Sequence, residues 1–160
     1  MREININEII ELVEKLCIDA NCCLSRDIED ALSRCLAHEK SLLGKNVIES
    51  IIENSHVARD EQVPICQDTG MAVVFMELGM DTHIYDGNMD EAINEGVRRG
   101  YEKGYLRKSV LKDPIDRVNT KDNTPAVVHY SIVPGDKLKI IVAPKGFGSE
   151  NMSALKMLNP

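Results

Sequence analysis

Residues 71–79 read MAVVFMELG, a run that is apolar except for Glu77 and carries the β-branched pair Val73 and Val74. Its length and composition predict a buried strand. It follows some sixty residues of helical pattern, so the chain mixes helix and sheet. Ile6, Ile9, Ile10, Val13, Leu16, Cys17 and Ala20 recur at three- and four-residue spacing and predict one helix, capped by Asn5 or Asn7. Ser25 caps a second, with Ile28, Leu32, Cys35 and Leu36 facing inward, and Gly44 marks its break from a third over about 45–60. Beyond the central run, THIYDG reads as a short strand. Asn88 and Glu91 have capping-box spacing and open a helix whose Gly96, Gly100 and Gly104 lie on one face, as close packing against another element requires. Residues 108–124 are polar and predict a functional loop. AVVHYSIV and KLKIIVAP read as two strands joined by PGD, a hairpin signal. SENMSALKML reads as a helix capped by Ser149, which the chain end at Pro160 cuts short, as expected of a fragment or a subunit continued elsewhere. The expected fold is mixed α/β (α+β) in a single domain over 1–160. Residues 1–62 are helical, and 63–160 form a small mixed sheet with an antiparallel hairpin, flanked by helices.

A chain of 160 residues with 43% apolar content can build a core, burying roughly 68–70% of its unfolded surface. Aromatic residues are few, so that core is aliphatic. The net charge of −7 argues against nucleic acid, and any anionic ligand needs a local cluster of positive charge. No apolar run approaches the roughly 20 residues of a membrane helix, and the N-terminus lacks a signal-peptide shape, so the expected location is the cytoplasm. Five cysteines without a C-x-x-C pair suggest neither a disulfide framework nor a zinc ribbon.

Three places can carry chemistry. In VPICQDTG, residues 63–70, Cys66 sits in a tight polar turn beside Gln67 and Asp68. The thiol is either an outward ligand or an inert packed cysteine, and spacing alone does not choose. In APKGFGSEN, residues 143–151, Gly146 and Gly148 allow backbone N–H groups to approach an anion, with Lys145 adding charge; a plain strand–turn–helix link has the same pattern. Among the basic residues, Arg98 and Arg99 read as a solvated helix face, whereas Arg107 stands where the helix enters the loop and can fork onto a carboxylate. Cys17, Cys22, Cys23 and Cys35 read as structural, and His56 and His129 as packing residues.

PICQDTG, INEGVRRGY, LRKS, NTPAVVHYSIVPGD and PKGFGSEN, in this order and over essentially the whole chain, resemble the class I fumarate hydratases. These are oxygen-sensitive iron–sulfur enzymes that interconvert fumarate and malate. The chain is similar to the α subunit of the two-subunit form, whose relative is the L-tartrate dehydratase α subunit. The resemblance implies that Cys66 is one of three cysteines holding a 4Fe-4S cluster. It implies that Gln67 and Asp68 line the substrate site, that Arg107 binds a substrate carboxylate, and that Gly146 or Gly148 approaches the substrate. One iron without a protein ligand would then act as a Lewis acid. Partners implied are the dicarboxylate, a β subunit and further copies of the chain. The other two cluster cysteines lie beyond residue 160 in the family, as does the proposed base, so this chain alone is expected to hold no stable cluster and to be inactive. L-Tartrate dehydratase, a non-catalytic assembly module and a cysteine-nucleophile hydrolase remain as alternatives. The last requires His56 or His129 near Cys66.

Overall fold

A computed structural model describes residues 1–148 and 153–158. The elements run β1 (Arg2–Asn5), α1 (Ile6–Cys22), α2 (Arg26–His38), α3 (Leu42–Glu61), β2 (Met71–Gly79), β3 (Thr82–Tyr85), α4 (Met89–Lys103), β4 (Val127–Val133) and β5 (Leu138–Lys145). The expected mixed α/β class is the one observed, with three helices in the N-terminal part and a small mixed sheet formed by strands after them, α4 lying between β3 and β4.

Asn5, rather than Asn7, caps α1, in a capping box with Glu8: the Asn5 N–H donates to Glu8 Oε1 at 3.1 Å. Asn88 caps α4 by accepting the Glu91 N–H at 3.1 Å. The buried faces of α1 (Ile6, Ile9, Val13, Cys17) and α4 (Ala92, Ile93, Val97, Tyr101) meet each other and the inward side chains of β2, Ala72, Val74 and Met76. Each fully buried Ile or Val here contributes about 1.5–3 kcal/mol. The glycine face of α4 is the crossing point. A β-carbon on Gly96 would lie 2.7 Å from Val13 Cβ and 2.8 Å from the Ile10 carbonyl oxygen; one on Gly100 would lie 2.8 Å from Cys17 Cβ. The Lys103–Glu14 ion pair (2.5 Å) closes the same seam.

β2 is the centre of a three-stranded sheet in the order β4-β2-β5, parallel to β4 and antiparallel to β5. The antiparallel pair therefore exists, but it joins β2 to β5; β4 and β5 do not pair with each other. The PGD signal reports a tight reversal and says nothing about which strands hydrogen-bond. Strands lie about 4.8 Å apart, so stepping over one takes about 9.6 Å, within reach of the four residues 134–137. That loop closes over the end of β2: Gly79 N–H donates to Lys137 O, and Asp81 N–H to Gly135 O, each at 2.9 Å. Only one face of β2 is buried; Phe75 on the other is 45% exposed. A separate parallel pair, β1 with β3, was not anticipated, because four residues with a single inward side chain, Ile4, carry too little pattern.

The expected inward face of α2 is not found. None of its residues is buried, Ile28 and Cys35 are exposed, and α3 buries only Ser55 and Ala58. The apolar stripes exist, but α2 and α3 pack chiefly on each other. Gly44 lies inside the first turn of α3, which Ser41 caps through the Gly44 N–H. His56 and His129 are exposed, and His129 stacks on Phe75 with ring centroids 5.0 Å apart. The expected cap Ser149 lies outside the described residues, and residues 153–158 carry no helix. No described helix is long and apolar enough to cross a membrane.

Candidate active site

The chain leaves α3 through Gln62 in a left-handed conformation (φ 54°), and the turn that follows is tied at both ends. At its entry, Ile65 N–H donates to Asn21 O at the end of α1, and Asn54 Nδ2 on α3 donates to Ile65 O, both at 2.9 Å. Cys66, Gln67 and Asp68 are exposed beyond this tether, and the Asp68 N–H points at Cys66 Sγ (3.4 Å). No histidine among the described residues bonds the sulfur, so the cysteine-nucleophile reading lacks its base.

The exit of the turn is buried. Thr69 is 1% exposed; its hydroxyl donates to Arg107 O at 2.9 Å, and its carbonyl accepts from the Tyr101 hydroxyl at 2.7 Å. Burial pushes the Tyr101 hydroxyl far up its range, so it stays protonated and a donor. Gly70 has φ 63°, and a β-carbon there would overlap the Lys145 backbone. This residue has to be glycine for two reasons: the left-handed backbone and the close approach of β5.

That approach brings the second motif to the first. Gly148 N–H donates to Asp68 Oδ2 at 3.2 Å, and a β-carbon on Gly146 would lie 2.8 Å from the same oxygen. Cys66, Asp68, Gly146 and Gly148 thus meet at one end of β2. Arg107 joins through its backbone, held by Thr69, while its exposed guanidinium makes no ion pair or hydrogen bond with another described residue. Gln67 stands on the same turn. Lys145 lies over the Phe147 ring, 4.9 Å from its centroid, and an apolar pocket of about 300 Å³ opens beside it, lined by Met71, Ser109, Val110, Leu111, Pro114 and Phe147.

Arg98 is more than a solvated face. It pairs with Glu95 on its own helix and reaches Asp122 in the loop at 3.2 Å, while Arg99 pairs with Glu95 at 2.6 Å. Burial acts to raise the Asp122 carboxyl, but hydrogen bonds from Thr124 and Arg98 outweigh it and hold the group below its usual range. Thr69, Tyr101 and Asn123 were missed from sequence. Their partners lie 13 to 53 residues away and leave no local spacing to read, apart from Asn123 itself lying in the loop read as functional.

An iron–sulfur cluster takes several thiolates. Among the described residues no group of three His, Cys, Asp or Glu side chains could hold a metal ion, and Cys66 is the thiol at this turn. The described residues supply one exposed thiol at this turn and do not by themselves fit such a cluster.

The family model for fumarate hydratase (Fumerase) matches residues 10–160, and the chain belongs to that family. A Methanocaldococcus jannaschii protein, provisionally named L(+)-tartrate dehydratase subunit alpha, is 38% identical over 159 residues, covering 96% of this chain and 55% of that protein. The anaerobic class I fumarate hydratase of Escherichia coli is 34% identical over 120 residues, 73% of this chain and 22% of that enzyme. The L(+)-tartrate dehydratase subunit alpha of Escherichia coli is 28% identical over 159 residues, 97% and 52%. The chain spans about half the length of each of these two alpha subunits.

Proposed function

We propose that this chain is part of the α subunit of a class I fumarate hydratase, a hydro-lyase that interconverts fumarate and malate with a β subunit as partner. One observation carries the reading: the Gly148–Asp68 hydrogen bond, which joins two motifs 80 residues apart into one site beside Cys66. In this reading Cys66 is one ligand of a 4Fe-4S cluster whose other ligands come from outside the described residues. Arg107, whose guanidinium makes no ion pair or hydrogen bond with another described residue, binds one carboxylate of the dicarboxylate as a bidentate fork. Gln67 and Asp68 face the substrate, and the Gly148 N–H holds Asp68 in orientation. The backbone around Gly146 and Gly148 lets the substrate approach without side-chain obstruction. Such local donors are needed because the chain as a whole repels anions at net charge −7. Five free thiols suit a reducing compartment, so we place the enzyme in the cytoplasm, assembled from more than one copy of this chain.

The names of the two alpha-subunit relatives support a second reading, L-tartrate dehydratase, with the same site and a hydroxylated substrate. The test is anaerobic assembly of the complete α subunit with its β partner, assayed with fumarate, malate and L-tartrate. Cys66→Ser is expected to abolish the cluster's visible absorbance and to lower activity by more than about 100-fold, since outer-shell changes alone cost up to that much. A cluster and turnover that survive Cys66→Ser would sink the assignment of Cys66. Preference for tartrate over fumarate selects the second reading.

A further inference from the structure

We propose that Asn123 is a positioning residue of this site, fixing the Arg107–Val110 segment against the Cys66–Gly70 turn. The proposal rests on the functional reading above. Asn123 is 0% exposed and adopts a left-handed backbone, φ 62°, which Asn tolerates better than most residues. Its Oδ1 accepts the Ser109 N–H at 2.7 Å and the Val110 N–H at 3.1 Å. Its Nδ2 donates to Gly70 O at 3.0 Å. One side chain therefore bonds both segments that carry the proposed chemistry. The atoms it holds lie two and three residues from Arg107 on one side and two from Asp68 on the other. Asn123 is itself anchored, because Asp122 accepts the Thr124 N–H at 3.1 Å and pairs with Arg98 on α4. Thr69 and Tyr101 span the same gap, but neither touches the amides of 109 and 110. Without the Asn123 side chain those two N–H groups lose their acceptor, Val110 being buried, and the Arg107 segment is free to shift. Displacement of a charge-binding group by about 1 Å can cost up to about 100-fold in rate.

The test uses the complete α–β enzyme loaded with its cluster under anaerobic conditions. Asn123→Gly keeps the left-handed backbone and removes all three bonds. Asn123→Asp keeps the acceptor for both amides and loses the donor to Gly70. The expected result for Asn123→Gly is full cluster content with unchanged visible absorbance and a KM for fumarate raised about tenfold, with kcat lowered less. Faster hydrogen exchange at the Ser109 and Val110 amides should accompany it. Asn123→Asp is expected to fall between this variant and the parent, and it carries the test should Asn123→Gly not fold. A folded, cluster-loaded variant with lower thermal stability but parental KM and kcat overturns the proposal, since that is the signature of a purely structural asparagine. A parent enzyme that binds no cluster and turns over neither fumarate nor tartrate overturns the functional reading, and this proposal with it.

Discussion

Cys66 and Cys17 show how far position alone separates two thiols of one chain. Cys17 is 0% exposed on the α1 seam, and burial pushes its thiol up to about 12, so it stays protonated and inert at neutral pH. Cys22, also buried, is shifted upward for the same reason. Cys66 and Cys35 are exposed. Brief alkylation of the folded chain at pH 8, followed by peptide mass mapping, is expected to label Cys35 and Cys66 and to leave Cys17 and Cys22 unmodified until denaturant is added. Labelling of Cys17 at the rate of Cys66 would mean that the α1–α4 seam is open. The turn around Cys66 was legible as a possible site because Gln67, Asp68, Thr69 and Gly70 make it polar and tight. Spacing alone left its exposure open, because a thiol in a turn can point either way until Asn21 and Asn54 fix the backbone.

At the scale of elements, the glycine face of α4 inverts a familiar rule. An exposed mid-helix glycine changed to alanine gains about 1 kcal/mol of helix propensity. At Gly96 the new methyl would meet Val13 Cβ and the Ile10 carbonyl within 2.8 Å, and backbone cannot yield as a flexible side chain does. Overpacking costs about 1–3 kcal/mol. Gly96→Ala is therefore expected to destabilise the chain by up to about 2 kcal/mol net, read as a lowered urea midpoint with unchanged m-value. A raised midpoint would show that α1 and α4 can separate cheaply. This seam was readable from the four-residue glycine spacing, as were the Asn88 cap and, as one of two candidates, the Asn5 cap, because each is a local signal; the Asn5–Glu8 box came only from the structure. The order β4-β2-β5 was not, because pairing depends on which strand inserts between two others, and PGD looks the same whether or not one does.

Over the whole molecule, buried apolar contact is unevenly divided, and local stability should follow it. The core cluster draws on β1, α1, β2 and α4 with Leu106, and no residue of α2 or α3 belongs to it. α2 buries nothing and α3 buries Ser55 and Ala58, leaving Ile28, Leu42, Leu43, Val47, Ile51 and Val57 exposed. The periodicity of α2 and α3 correctly predicted two amphipathic helices. It could not say what their stripes would meet, because a stripe records a demand for cover and not its source. Local opening of α2–α3 exposes little that is not already exposed, whereas opening α1 or α4 uncovers Val13, Ile93 and Val97 together. Native-state hydrogen exchange of the chain is thus expected to show amides of α2 and the first half of α3 at least about 100-fold less protected than those of β2 and α4, a gap of about 2.7 kcal/mol. Equal protection across all four helices would mean that the chain unfolds as one cooperative unit, with α2 and α3 held by interactions other than buried apolar contact. The second half of α3 belongs with the slow set, because Ser55 and Ala58 are buried there and Asn54 bonds the entry of the Cys66 turn. The slow core then ends where the proposed site begins, so that the turn is supported by the most stable part of the fold.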